Sequence, residues 1–457
     1  MMHVIDDNQI RSMMDTSGDA AEVMEILQKS KSLSRLSMRE TAVLANVSDP
    51  DLRKQIHDAA RDLKDSIYGN RLVIFAPLYI SNLCNNDCSY CGFRVSNRGI
   101  KRRALTQEEI AEETVNLLKT GQKRALLVSG EAYPGGKIDY ILDSVRTVYS
   151  VRHGKDNIRR INVNIAPVDI EEFKQLKEAE IGTYQLFQET YHEETYHKLH
   201  TRGPKRDYSY RLETIDRAFE AGIDDVGIGV LFGLYDWKYE VLALMNHIEH
   251  LEAKFGMGPH TISVPRLEPA TGCDITETPP YPVSDDDFKH IIAILRLSVP
   301  YTGLILSTRE NAAMRRASFE LGISQISAGS RTNPGGYSDS ESCEQFSLGD
   351  HRSLDEVIYD IVTHGFIPSF CTSCYRLGRT GLDFMEYAKP GDIKKKCHPN
   401  ALFTFTEYLI DHASERVRQV GSEMIRRELE AVNPPEFREK LRTILDKIKD
   451  GERDVFM

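Results

Sequence analysis

The sequence predicts an α/β protein whose core is a closed, TIM-type (β/α)8 barrel. Three observations carry this expectation. Eight short apolar, strand-like runs follow one another between residues 72 and 327, amphipathic helical stretches lie between them, and glycines stand where several helices must give way to strands. An open, doubly wound sheet is the competing arrangement of the same alternation.

The runs are Leu72–Ile80, Ala125–Val128, Ile161–Ile165, Tyr184–Phe187, Val226–Leu231, Thr261–Leu267, Leu304–Leu306 and Ser324–Ser327. Thr106 and Glu109 form a capping box before the first intervening helix, which carries Ile110, Leu117 and Leu118 and stops at Gly121. Gly182, Gly222 and Gly322 are expected to end later helices. Val357, Ile358 and Ile361 supply the eighth helix. A barrel of this kind places its active site at the C-terminal ends of its strands.

Two regions flank the barrel. Residues 1–70 read as a helical extension, with a Ser37–Glu40 capping box and Leu52, Ile56, Ala59, Leu63 and Ile67 at helical spacing. Residues 71–335 form the barrel core. Residues 336–457 hold its last helix and a C-terminal domain, with one long helix expected over Leu402–Val432 and a break at Pro434–Pro435.

Composition narrows the class. With 457 residues, 40% hydrophobic and 28% charged, the chain can bury a sizeable core and is not disordered. A net charge of -11 argues against a nucleic-acid coat. The apolar runs are far shorter than the ~20 residues of a membrane span. Met1–Ile10 has no apolar segment of the secretory type, so a soluble, cytoplasmic protein without membrane partners is expected.

In that compartment eight cysteines read as ligands or reactive thiols before disulfides. Cys84-Asn-Asn-Asp-Cys88-Ser-Tyr-Cys91 follows the first run directly, which puts three thiols at the catalytic rim. Three cysteines can hold three irons of a [4Fe–4S] cluster and leave the fourth open. A zinc site short of one ligand and a redox thiol pair are the other readings. Cys371-Thr-Ser-Cys374 with Cys397 is a second triplet; a zinc knuckle using adjacent His398 fits its spacing too. Cys273 and Cys343 read as thiols without metal, and Lys101-Arg102-Arg103 and Lys394-Lys395-Lys396 as solvated faces, the second able to receive an acidic partner.

With Gly92-Phe93 after it, the first triplet resembles the signature of radical S-adenosylmethionine (SAM) enzymes, in which SAM chelates the open iron. That resemblance assigns Ser129-Gly130-Glu131, Gln188, Glu189 and Arg211 to SAM binding, and Gly227-Ile-Gly229 to the adenine. C-x3-C-x2-C on a barrel together with C-x2-C-x22-C, Tyr375-Arg376, Gly378-Arg379-Thr380-Gly381 and His398-Pro-Asn-Ala401 resembles one family within that superfamily. It is the tyrosine lyases of [FeFe]-hydrogenase maturation, over Leu72 to about Leu409. The sister family, 2-iminoacetate synthase of thiamine biosynthesis, lacks the second triplet.

The resemblance implies two sites. At the first, a 5′-deoxyadenosyl radical takes hydrogen from the amino group of L-tyrosine, and Cα–Cβ cleavage gives p-cresol and dehydroglycine. At the second, a [4Fe–4S]-type auxiliary cluster on Cys371, Cys374 and Cys397 turns that fragment into CO and cyanide on an extra labile iron. His260, expected at the opposite mouth of the barrel, would bind that iron. Arg309 is the candidate for the tyrosine carboxylate, with Ser327 and Ser330 as further hydrogen-bonding groups; a rim ion pair with Glu310 is the alternative for Arg309. The implied partners are a reductant such as ferredoxin or flavodoxin and hydrogenase-maturation scaffold proteins. A zinc-stabilised assembly protein and an RNA-modifying radical SAM enzyme are the other classes, the latter disfavoured by the acidic balance.

Overall fold

The computed structural model describes residues 4–338 and 344–457; Cys343 lies outside them. The strands are β1 (Arg71–Ser81), β2 (Arg124–Ser129), β3 (Arg160–Asn164), β4 (Tyr184–Gln185), β5 (Val226–Gly229), β6 (Thr261–Ser263), β7 (Gly303–Leu306), β8 (Gln325–Ser327) and β9 (Ile367–Ser369). Each of β1 to β8 pairs in parallel with the next, and β8 returns to β1, so the barrel is closed and the open-sheet alternative is excluded. Among the described residues no helix is long and apolar enough to cross a membrane.

β1 is buried along all eleven residues. Ala76–Ser81 pair with β2, Val73–Phe75 with β8, and Arg71–Val73 with β9. Val73 bonds to β8 and β9 at once, so β9 occupies the side of β1 that β2 does not yet reach. The sequence reading did not include β9: three residues with a proline in the middle carry no alternating pattern.

Several expected strands are shorter in the structure. β4, β5 and β6 end before Phe187, Leu231 and Leu267, and the chain then leaves the sheet to build the rim. At β6 the cause is Pro265, which has no N–H to continue the ladder; its carbonyl instead accepts from Phe232 N at 2.9 Å. Gly182 does not end its helix as a left-handed residue. Glu180 takes that conformation at φ 58°, and Gly182 is needed because a Cβ there would lie 2.3 Å from Asn162 Oδ1. The single helix expected over Leu402–Val432 is two helices, Ile393–Asp411 and Glu415–Glu430. Ser414 separates them, its N–H and hydroxyl both bound to Asp355 at 3.0 and 2.6 Å. The capping boxes at Ser37–Glu40 and Thr106–Glu109 are both formed.

The N-terminal helices Ala20–Lys31, Met38–Ala45 and Pro50–Tyr68 pack on helix Asp285–Ser298. Ser30 Oγ donates to Leu297 O at 2.8 Å and Leu36 N to Ser298 O at 3.0 Å. Their apolar faces join the barrel and the C-terminal helices in one continuous core. Arg296 is fully buried in it. Its guanidinium donates to Gly322 O, Pro300 O and Thr302 O at 2.8–3.2 Å and stacks on Tyr68. It thereby ties the turns entering β7 and β8, which form part of the lower rim.

Arg296→Met therefore leaves three buried carbonyls without donors at ~1–3 kcal/mol each. The variant is expected to lose at least about 3 kcal/mol of stability in urea unfolding; a loss below 1 kcal/mol would show that these turns hold themselves.

Candidate active site and metal centres

The upper mouth is built on the loop that leaves β1. Asn82 N donates to Arg103 O at 3.0 Å, and Asn82 Oδ1 accepts from Arg103 N at 2.7 Å. Arg102 is not on a solvated face as expected. It is half-buried and donates to the carbonyls of Asn82, Phe93 and Arg94 at 2.9, 2.6 and 2.5 Å, because a loop of exposed carbonyls needs a donor where no strand supplies one. One guanidinium thus closes both ends of the segment carrying Cys84, Cys88 and Cys91.

The three thiols are free. Cys91 N closes a turn on Cys88 O at 3.1 Å, and Gln345 Nε2 donates to Cys91 Sγ at 3.6 Å. Burial pushes all three thiols up, Cys84 to about 11, so a metal must displace their protons to bind. Gly130 follows β2 and donates its N–H to Ser81 O at 2.8 Å. A Cβ on it would lie 2.3 Å from Leu83 O, so only glycine lets this turn touch the cysteine loop. Ser129 is buried, its hydroxyl turned to Gly130 O at 2.9 Å.

Beside this loop four charges form a web, the two cations buried and the two carboxylates partly so. Arg211 Nη1 lies 3.0 Å from Glu131 Oε1 and its Nε donates to Phe187 O at 2.8 Å. Lys205 Nζ lies 2.7 Å from Glu189 Oε1 and 3.8 Å from Glu131 Oε1. Asn86, inside the cysteine loop, donates to Glu131 Oε2 at 2.7 Å and accepts from Lys205 N at 2.9 Å. Burial opposes ionisation of both carboxylates, yet the two cations hold them below their ordinary values. Glu189 sits at φ 71°, a left-handed position that non-glycine residues take up mainly where the surroundings enforce it. Gln188 is buried with Nε2 unpartnered among the described residues. Three sulfur donors, an orphaned amide and paired opposite charges fit a cluster with an amino-acid ligand on it. The sequence reading missed Lys205 and Asn86; the Gly203-Pro204 turn ahead of the lysine was the only signal.

Below the triplet the barrel encloses a cavity of about 160 Å3, lined among others by Tyr79, Cys91, Glu189, Arg309, Ser330 and Phe346. Arg309 Cζ stands 3.3 Å from the centre of the Phe346 ring. Its expected alternative partner, Glu310, is held by Arg266 at 2.5 and 2.8 Å, and among the described residues the Arg309 guanidinium has no ion pair. Burial pushes that guanidinium below its ordinary value, as for a cation lacking its anion. Ser330 Oγ is buried and unpartnered among the described residues, whereas Ser327 Oγ accepts from Thr308 N at 3.1 Å.

The second triplet lies at the opposite mouth. Cys371 follows β9, Cys374 is in helix Ser373–Arg376, and Cys397 is in helix Ile393–Asp411. Together with His260, Arg71 and Arg124 they line a cavity of about 50 Å3. The Cys374 thiol donates to Cys397, and with Arg71, Arg379 and Arg124 nearby this holds Cys397 well below the ordinary thiol range. His398 does not complete a zinc knuckle; its Nε2 lies 3.6 Å from Glu428. Among the described residues, neither cysteine triplet closes to the 4.8 Å spacing of a single-ion site. The one trio that does, Asp156, Asp411 and His412, is already ion-paired to Lys123 and Arg453. Cys273 is buried, its Sγ 3.8 Å from Thr271 O.

Comparison with known proteins agrees with this layout. A model of the Radical SAM superfamily matches residues 78–247, and one of the Biotin and Thiamin Synthesis associated domain matches residues 263–367. The chain is 33% identical over 366 residues to 2-iminoacetate synthase of Escherichia coli (strain K12), covering 79% of this chain and 92% of that protein. Among solved structures, HydG, a maturase of the [FeFe]-hydrogenase, superposes with a TM-score of 0.97 at 48% identity over 99% of this chain and 100% of that one. HydG from Carboxydothermus hydrogenoformans superposes at 0.84 with 40% identity over 97% and 96%.

The clash at Gly130 supplies a test. Gly130→Ala must push the Glu131 turn off the cysteine loop, and a displacement near 1 Å is expected to weaken SAM binding about tenfold or more in a calorimetric titration of the reconstituted protein. An unchanged affinity would detach this turn from the cofactor.

Proposed function

The chain belongs to the HydG family of radical SAM lyases, and we propose that it serves [FeFe]-hydrogenase maturation in two stages. It cleaves the Cα–Cβ bond of L-tyrosine to p-cresol and dehydroglycine at the upper mouth. It then makes CO and cyanide on iron at the lower one. The supporting observation is the placement of two cysteine triplets at opposite mouths of one barrel, each beside its own cavity.

We assign Cys84, Cys88 and Cys91 to the [4Fe–4S] cluster, and Ser129, Gly130, Glu131, Gln188, Glu189 and Arg211 to SAM. When bound, this pair supplies the one-electron chemistry that removes a hydrogen atom from the substrate. Lys205 and Asn86 hold Glu131 and Glu189 in place for it. Arg309 receives the tyrosine carboxylate, since a half-buried guanidinium without an anion is completed by one. Ser330 offers its free hydroxyl beside it, and Ser327 fixes the turn at Thr308. Tyr79, Val128, Leu231 and Phe346 wall the cavity against water, as a reactive radical requires.

At the lower mouth Cys371, Cys374 and Cys397 supply three soft sulfur donors for an auxiliary cluster, and His260 holds an extra iron, which is cargo of the reaction. On this reading residues 1–70 cover the barrel, 71–335 carry the tyrosine chemistry, and 336–457 carry the second site. The setting is cytoplasmic. A ferredoxin or flavodoxin supplies electrons, and maturation scaffold proteins take the iron product. Lys394, Lys395 and Lys396 are exposed beside Cys397 and suit an acidic partner.

Assays for p-cresol, CO and cyanide after anaerobic reconstitution test this function; p-cresol without cyanide would point to a 2-iminoacetate synthase-like activity instead. Arg309→Ala is expected to lose ~2–5 kcal/mol of tyrosine binding and most p-cresol while SAM is still cleaved. An unchanged KM for tyrosine would pass the carboxylate to another residue. Cys371→Ser, Cys374→Ser and Cys397→Ser should each keep p-cresol and lose CO. A folded variant that makes no p-cresol would refute the division between the two mouths.

A further inference from the structure

We propose that Asp225 is the positioning residue of the second site: its carboxylate takes the Nδ1–H of His260 and leaves Nε2 to the cavity as the ligand for the extra iron. This rests on the assignment of His260 made above.

The His260 main chain is fixed by its position. Its N–H donates to Val226 O and its carbonyl accepts from Gly303 N, both at 2.9 Å. The ring packs on Phe384, centroids 4.1 Å apart and 35° between planes, so two of its degrees of freedom are already restricted. One carboxylate stands beside the ring. Asp225 Oδ2 lies 3.5 Å from Nδ1.

Asp225 is 2% exposed, yet both of its carboxylate oxygens and the His260 Nδ1 lack hydrogen-bond partners among the described residues. A buried carboxylate left without a donor is expensive, and closing a few tenths of an ångström makes the missing bond. Several neighbouring polar groups are engaged elsewhere. Neighbouring Asp224 accepts from Thr380 Oγ1 at 2.9 Å, Arg124 donates to Cys371 O at 2.7 Å, and Arg160 lies over the Tyr375 ring. His260 Nε2 is not among the buried unpartnered atoms, and the residue lines the same cavity as the three cysteines. Histidine ligands generally donate their second ring N–H to a carboxylate, which fixes the tautomer and makes the free nitrogen more basic. Asp225 and His260 are placed for that relation, with 3.5 Å between Oδ2 and Nδ1.

The test is a ferrous-iron titration of the reconstituted, cluster-bearing protein, followed by the high-spin electron paramagnetic resonance signal of the reduced state. Cubane absorbance and circular dichroism report the fold. Asp225→Ala is expected to bind the extra iron 10–100-fold more weakly with the cubane retained. Asp225→Asn keeps the shape and an acceptor oxygen but not the charge, and should fall between Asp225→Ala and the unaltered protein. A merely structural role would leave Asp225→Asn at full affinity. If Asp225→Ala fails to fold, Asp225→Asn decides alone: weakened binding supports the proposal and full affinity overturns it. His260→Ala separates the two claims. Should it lose the extra iron while both Asp225 variants bind at full affinity, the role of Asp225 is wrong and that of His260 stands. Should His260→Ala keep the iron and its signal, the assignment of His260 itself fails.

Discussion

Strand β1 is the constraint on which both sites depend. It is the longest strand, buried from end to end, and it closes the barrel by pairing with β2 on one side and β8 on the other. Its C-terminal end delivers the cysteine loop to the upper mouth. Its N-terminal end is longer than β2 can cover, and the vacant edge is taken by β9, whose next residue but one is Cys371. An unpaired strand edge inside a core would leave backbone groups without partners. Satisfying that edge is what anchors the C-terminal chain under the barrel and brings the second triplet to Arg71 and Arg124, at the starts of β1 and β2.

Charge divides the two ends further. At the upper mouth Glu131 and Glu189 are matched by Arg211 and Lys205, so the site around the first triplet is already balanced within the protein. At the lower mouth the cations Arg71 and Arg124 have no ion pair among the described residues, and the groups best placed to answer them are thiolates. Their effect is visible on Cys397, drawn toward its charged form by the Cys374 thiol and by these arginines. Burial thus holds all three thiols of the first triplet protonated, whereas at the lower mouth Cys371 is raised by burial, Cys374 by its hydrogen bond to Cys397, and Cys397 alone is drawn toward thiolate.

What the sequence made legible follows from how local each signal is. Capping boxes, glycine stops and eight apolar runs are patterns of neighbouring residues, and they placed the barrel and both triplets. β9 has three residues and a proline, and it exists only because β1 has an open edge. The break at Ser414 depends on Asp355, far away in the chain. At the site, cysteines were readable because their spacing is itself the motif. Lys205, Arg102 and Asp225 were not. Lys205 and Arg102 are charged residues in polar stretches and Asp225 stands beside Asp224 ahead of an apolar run; what covers each of them comes from elements distant in sequence. The same holds for Arg309, where the adjacent Glu310 looked like a partner but is claimed by Arg266.

The contrast in thiol protonation also bears on how the two ends acquire metal. Binding iron to Cys84, Cys88 and Cys91 requires three protons to leave thiols whose ionisation burial opposes, so the affinity of that loop must rise with pH over a wide range. At the lower mouth Cys397 is held low while Cys371 and Cys374 are raised, so two protons instead of three have to be displaced. A metal arriving at moderate pH therefore meets a prepared anion beside Arg71 and Arg124, but a neutral loop beside the Glu131–Arg211 web. The balanced web is suited to receiving a ligand that carries both charges, such as an amino acid. The cationic lower mouth is suited to a group that arrives with its charge carried by sulfur. The fold thereby gives two similar cysteine triplets different environments, and it does so through which end of β1 each one is built on.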